Sequence, residues 1–432
     1  MKILIKNGLV INSDSKFIAD VLIENGQISK VAHSISCQAD RVIDAKDKFV
    51  MPGLIDMHVH FRDPGFEYKD DIITGSKSAV AGGVTTALPM ANTNPVNDNA
   101  SITRDMIARA KECGLIDLLP IGAITKNLSG DSVTEMGDMI EAGAVAFSDD
   151  GLPVSSSGVM RRALEYSKQF GSFVISHCED CSMCRSGVMH EGKVSALLGL
   201  KGMAREKEEI MVSRDMLLAK LTGGHIHIAH VSSEYSLKMI KRAKADGINV
   251  TCEATPHHFS FTDECLIDYN SNYKMSPPLR ENSDKLALRE GLKSGLIDVI
   301  STDHAPHHTD DKIVEFDKES FGILGLQTLI PLTLKLVEEG IISLEQMVKL
   351  TSANPAKILG LDEVEGRKKG HIKEGYLADI AVIDPNLEYL YDESLNQSKS
   401  FNSPLLGSIL KGASVVTIKS GRIVWEFPKV IG

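Results

Sequence analysis

The chain has 432 residues, 43% of them hydrophobic, enough for a large buried core and, by length alone, for two or three domains or one long barrel. Its 47 basic and 58 acidic residues give a net charge of -11, which argues against a nucleic-acid-binding surface because that requires a basic stripe. The charge does not name a substrate, since a basic pocket can sit in an acidic protein.

Met1-Lys2-Ile3-Leu4-Ile5-Lys6-Asn7-Gly8 is interrupted by charge too early for a signal-peptide core. No apolar run reaches membrane-spanning length, so a cytoplasmic protein with no membrane or nucleic-acid partner is expected. The first segment reads as short strands: Ile3-Leu4-Ile5, Leu9-Val10-Ile11, and Asp20 to Glu24. Asn25-Gly26 is a two-residue hairpin signal, with Ile28 to Val31 as the returning strand.

From Phe49-Val50-Met51-Pro52-Gly53-Leu54-Ile55 the chain runs into Asp56-Met57-His58-Val59-His60-Phe61-Arg62. On a strand, residues i and i+2 face one side, so His58 and His60 are placed as half of a metal site. Further apolar runs end in polar residues: Ala144 to Ser148 before Asp149-Asp150, Phe173 to His177, Ile226 to His230, and Val299 to Asp303. Helical stretches fall between them, such as Ser232 to Ala245 and Leu326 to Glu339. Repeated β/α units over about 300 residues predict an α/β fold, a TIM-like (β/α)8 barrel whose active site lies at the C-terminal ends of its strands. Strand-like runs return near the C-terminus (Asp379 to Asp384, Val415 to Ile418, Arg422 to Trp425). The expected domains are a small β-sandwich built from both termini, residues 1–52 and 366–432, and a catalytic barrel, 53–365.

The seven cysteines are odd in number and scattered, which does not suggest a disulfide framework. Cys178-x-x-Cys181-x-x-Cys184 has the spacing of an iron–sulfur run but lacks the fourth thiolate and the proline, since Arg185-Ser186-Gly187-Val188 follows. Ordinary reduced thiols are expected.

A single strand histidine is ordinarily a packed residue. His58, His60, Asp150, His177, His230 and Asp303 together, all near the ends of predicted barrel strands, form a ligand set for two divalent ions. Strand parity places His225 and His227 on one face and His230 on the other, favouring His230 as ligand; it does not choose between Asp149 and Asp150. Imidazole and carboxylate donors suit zinc, with manganese or cobalt as substitutes. Two ions sharing a carboxylate and a water generate a hydroxide that attacks a carbonyl carbon. Asp303 can take the proton and deliver it to a leaving nitrogen, the chemistry of amide-like hydrolysis.

Pro52-Gly53-Leu54-Ile55-Asp56-Met57-His58-Val59-His60 resembles the amidohydrolase superfamily signature. Within it, His58 to Gly65, Met90-Ala91-Asn92-Thr93-Asn94-Pro95, Phe147 to Gly151, Ser176 to Asp180 and Thr302 to His307 resemble the bacterial dihydroorotases. Asn354 to Lys357 and the closing run from Gly370-His371-Ile372 to Ala378-Asp379 extend the likeness over nearly the whole chain. The resemblance implies reversible cyclisation of N-carbamoyl-L-aspartate to (S)-dihydroorotate in de novo pyrimidine biosynthesis, with two zinc ions as cofactor. It implies Asp150 as the bridging ligand, His58, His60 and Asp303 on one ion, and His177 and His230 on the other. No lysine stands in Ala146-Phe147-Ser148-Asp149-Asp150, which fits the aspartate-bridged class rather than the hydantoinases and allantoinases.

Arg62 stands two residues after His60 and is expected to share its strand face, where a guanidinium is a natural fork for the substrate carboxylate; the family pattern adds Asn92 and His307 as carboxylate or ring contacts. The family has proline where Ala91 stands and asparagine where Ser276 stands. Serine is shorter and offers one donor, with water able to fill the gap. The resemblance also admits a homodimer and an association with aspartate carbamoyltransferase; an inactive scaffold for that enzyme would have lost ligands, and all six are present. The polar segment from His307 to Phe316 is a candidate lid.

Overall fold

In the computed structural model, residues 1–183 and 186–431 are described. Cys184 and Arg185, in the cysteine-rich segment, lie outside the described residues. Among the described residues eight barrel strands follow one another with a helix after each. They are Leu54–Val59, Val84–Pro89, a third strand made of Asp117–Leu118 and Ile121–Gly122, Ala146–Phe147, Val174–Ser176, Ile226–Ile228, Val250–Ala254 and Val299–Ile300. Among the described residues the pairings between neighbouring barrel strands are parallel. A bridge from Val59 to His304 joins the last strand's exit to the first strand and closes the barrel.

The helices start and stop where local chemistry demands. Asp71 caps helix Ile72–Ala81 in a capping box with Thr74. Asn99, Ser156 and Ser233 accept from the first free amides of Ala100–Cys113, Ser157–Gln169 and Glu234–Ala245. Gly114 and Gly223 end their helices in the left-handed conformation, at φ 65° and 64°.

Strands from both ends of the chain form one nine-stranded network, the small β-sandwich. Its seam is Phe49–Pro52, which pairs antiparallel with Ile380 to Ile383 and parallel with Lys2–Ile11. Lys2–Ile11 is one continuous strand with an irregularity between Ile5 and Gly8, where the sequence pattern suggested two. Asn25 and Gly26 make the hairpin turn at φ 53° and 81°, with Glu24 opposite Gln27. The sandwich core gathers Ile3, Ile5, Val21, Ile23, Val50, Ile380 and Ile418, all buried. Burial of this kind contributes roughly 25 cal/mol per Å² of apolar surface.

At the junction Lys369 is buried, and its ammonium meets Asp117 and Asp379, each at 2.5 Å, tying the third barrel strand to the sandwich. Among the described residues, no helix is long and apolar enough to cross a membrane.

Candidate active site

The first barrel strand ends at Val59. His58 lies within it, whereas His60 and Arg62 lie beyond it, and Arg62 is in the left-handed region at φ 61°. Strand parity therefore does not carry Arg62 to the site; a turn in the chain does. His230 and Asp303 likewise follow their strands at φ 29° and 48°, unusual values for residues other than glycine.

These turns converge the predicted ligands. Among the described residues, donor atoms of His58, His60 and Asp150 lie within 4.8 Å of one another, as do those of Asp150, His177 and His230, and those of His58, His230 and Asp303. Asp150 is common to two of these groups. Its Oδ1 is 3.4 Å from His58 Nε2 and 3.2 Å from His177 Nδ1, and its Oδ2 is 3.4 Å from His60 Nε2. Asp149 turns away and accepts from the backbone amide and hydroxyl of Thr125.

The outer nitrogens of three rings are held from behind. His58 Nδ1 meets Glu253 Oε1 at 2.7 Å, His60 Nδ1 meets Asn92 Oδ1 at 2.9 Å, and His177 Nε2 meets Glu179 Oε2 at 3.3 Å. Such partners fix the tautomer and point the opposite nitrogen at a metal. His58 Nε2 is buried without a hydrogen-bond partner and faces the two aspartates, the signature of a ligand position.

The electrostatics agree with this fit. Burial alone would pull His58 down, yet Asp150, Asp303 and Glu253 hold it well above the usual histidine range. Burial would push Asp150 up, but His58, His177 and His230 hold it well below the carboxylate range. Burial would push Asp303 up as well, but His58 and His60 hold it below the usual carboxylate range. Negative and positive groups are thus packed where a divalent cation can replace protons.

A cavity of about 320 Å³ opens over this cluster. Nine of the ten sequence-predicted site residues line it: His60, Arg62, Asn92, Asp150, His177, His230, Ser276, Asp303 and His307, with His58 buried beside them. Arg62 donates to Pro306 O at 3.1 Å and reaches His307 Nε2 at 3.2 Å. Burial, with Arg62 and Lys69 next to it, keeps His307 well below the usual histidine range and so neutral. Ser276 donates to Glu179 Oε2 at 3.1 Å.

Glu253, Glu179 and Lys207 were not singled out from the sequence. A glutamate in the mid-strand run Val250–Ala254 was the one available signal, since a charged side chain in a buried barrel strand needs a partner. His227 meets Glu253 Oε2 at 3.2 Å and shares Thr251 Oγ1 with His225, so both histidines pack rather than ligate. Cys178 is buried behind His177, within reach of Ser176 and Asp215. The cysteines among the described residues are free thiols.

Residues 47–236 match the family model described as dihydro-orotase-like, and residues 321–425 match that of the amidohydrolase family. The L-hydantoinase (dihydropyrimidinase) of Arthrobacter aurescens superposes with a TM-score of 0.88 at 28% identity, covering 100% of this chain and 97% of that one. A dihydropyrimidinase from Brevibacillus agri superposes at 0.83 with 23% identity, covering 100% of this chain and 96% of that one, and shows the fold alone. In sequence the chain stands nearer to another group. It is 48% identical to the dihydroorotase of Geobacter metallireducens over 99% of this chain and 100% of that one, and 50% identical to that of Geobacter sulfurreducens over 98% and 99%. Identity at this level along the full length means that the chain belongs to the dihydroorotase family, hydrolases of cyclic amides within the amidohydrolase superfamily.

Proposed function

We propose that this dihydroorotase interconverts N-carbamoyl-L-aspartate and (S)-dihydroorotate in the cavity above Asp150, using two zinc ions, as a cytoplasmic step of de novo pyrimidine biosynthesis. The observation that carries the site assignment is one cavity holding both the His/Asp cluster and the Arg62–His307 pair. In this reading residues 53–365 are the catalytic barrel, and 1–52 with 366–432 the sandwich.

His58, His60, Asp150 and Asp303 would hold one ion, and Asp150, His177 and His230 the other. When bound, such ions supply Lewis acidity, polarising the scissile carbonyl and making water more acidic. The chain's own residues do the rest. Arg62 presents its guanidinium to the substrate carboxylate, where a bidentate pair fixes orientation as well as charge. Asn92 is held in register by His60 and Asp150, and neutral His307, whose Nε2 accepts from Arg62 and whose Nδ1 faces Lys69, lines the substrate position without adding charge. Asp303 accepts the proton of the attacking water and returns it to the leaving ring nitrogen; in the synthetic direction it runs the same transfers backwards.

The test is ring opening of (S)-dihydroorotate, followed by loss of ultraviolet absorbance with zinc-loaded protein, beside hydantoin, dihydrouracil and allantoin. Turnover of dihydroorotate alone supports the reading. Absence of turnover with both ions bound overturns it.

A further inference from the structure

The cavity wall carries one cation that the reaction above leaves without a task. Lys207 sits in the first turn of helix Glu206–Thr222 and lines the cavity, with its side chain 7% exposed. Its Nζ is 2.6 Å from Glu179 Oε1, with Met203 Sδ at 3.8 Å. A cation in the first turn opposes the helix dipole, and burying an ammonium is costly unless it is paired. Such departures from local preference concentrate at functional positions.

Glu179 shows what the cation neutralises. Its Oε2 takes the His177 ring at 3.3 Å and the Ser276 hydroxyl at 3.1 Å. One carboxylate therefore sets both the imidazole that faces Asp150 and a side chain of the cavity wall. It also brings a negative charge into a pocket that must admit an anion.

We propose that Lys207 is a specificity-determining residue: its ammonium cancels the charge of Glu179, so that this carboxylate can orient His177 and Ser276 without repelling an anionic substrate. The inference rests on the dihydroorotase reading. It has a consequence for the two directions of the reaction. Dihydroorotate carries one carboxylate and carbamoyl-aspartate carries two, so an uncovered Glu179 opposes the dianion more strongly. No residue alters the overall equilibrium, so kcat/KM must fall by the same factor in both directions. The asymmetry then shows in KM.

The experiment measures initial rates in both directions at low ionic strength, on zinc-loaded wild type, Lys207→Met, Lys207→Arg, Glu179→Gln and the Lys207→Met/Glu179→Gln pair. Zinc content and thermal midpoint are recorded for each. From Coulomb interaction at an intermediate dielectric, Lys207→Met is expected to raise KM for carbamoyl-aspartate about tenfold and for dihydroorotate about threefold. Lys207→Arg restores both. The double variant recovers most of the loss, because no bare carboxylate remains and the amide oxygen of glutamine still accepts from His177.

A double variant no better than Lys207→Met overturns the proposal, since Lys207 would then act on substrate directly or only pack. Equal KM changes in the two directions, or none, overturn it as well. So does loss of zinc or of folding in Lys207→Met that Lys207→Arg fails to rescue. Wild-type turnover of dihydroorotate in the same assay tests the underlying reading separately.

Discussion

His60 Nε2 lies 3.1 Å from Asp303 Oδ1, although 243 residues separate them. The contact spans the seam where the barrel closes, and there His60 N donates to His304 O at 2.8 Å. The left-handed turn at Asp303 aims its carboxylate back at the first strand's exit, beside the cavity. The position serves a proton carrier, which must reach both the attacking water and the leaving nitrogen. Asp303→Ala should therefore lower kcat roughly a thousandfold, the middle of the range for loss of a general acid–base group. Zinc content, measured by elemental analysis, should stay near wild type, because His58, His60 and Asp150 remain. Normal turnover in this variant would remove Asp303 from the proton transfer.

Glu253 is fully buried and bonds three elements of the site: His58 Nδ1 at 2.7 Å, His227 Nε2 at 3.2 Å and His230 N at 3.2 Å. Burial would push its carboxyl up, but His58 and His227 hold it well below the usual range. Removing it frees the His58 ring to rotate and leaves two imidazoles unpaired. Glu253→Ala should weaken zinc affinity by about 10- to 100-fold, the usual effect of losing a partner behind a metal-ligating histidine. A competition titration with a chelating dye reads this directly, and unchanged affinity would show that the glutamate only fills space.

The alternation of apolar runs and helical segments made the barrel legible, because burial on both faces leaves a continuous hydrophobic run in each parallel strand. The candidate ligands stood out as a group in the sequence because they cluster at predicted strand ends, and the fold brings their donor atoms together. Parity was not a sufficient guide beyond those ends. Asp149 and Asp150 follow a strand that stops at Phe147, and the chain rotates one to Thr125 and the other to the imidazoles. Nothing in a period-two pattern encodes that rotation. Glu253 was missed for a different reason: its partner His58 lies 195 residues away, and only barrel closure brings them together. Lys207 reads locally as an ordinary surface lysine of an acidic helix start, and only the fold turns it inward to Glu179.

Arg62 is positioned by Pro306 O and His307 rather than by a carboxylate of the protein, so its guanidinium keeps hydrogen-bonding capacity for a ligand. Burial draws it below the usual arginine value, while Asp303 and Asp150 oppose that pull. Arg62→Met should lower kcat/KM for dihydroorotate by about two to three orders of magnitude, the cost of leaving a buried charged partner unpaired. Zinc content and thermal midpoint should stay near wild type, because Arg62 hydrogen-bonds to Pro306 O and His307 rather than to the His/Asp cluster. A loss of zinc or of thermal stability in step with the lost activity would show that Arg62 supports the loop rather than the substrate.

Lys274 anchors the segment that runs from His307 to Gly322 along the cavity. It is buried, donates to Phe316 O at 2.5 Å and Glu319 O at 2.7 Å, and stands 4.6 Å from the centre of the Phe321 ring. Burial lowers it from 10.5 to about 8, with Glu319 and Asp317 opposing. Below about pH 8 the lysine is charged in both folded and unfolded chains, and the full burial cost is present. Between about 8 and 10.5 the folded chain has released the proton while the unfolded chain still holds it. The unfolded state then binds more protons, so this group's contribution to stability rises with pH across that window. Lys274→Met lacks the titration. The difference in unfolding free energy, wild type minus Lys274→Met, should climb in favour of wild type from pH 8 to pH 10, as read from denaturant midpoints at constant salt. A difference that stays flat would mean that the ammonium keeps its proton in the fold, and that hydrogen bonds to Phe316 and Glu319 offset its desolvation.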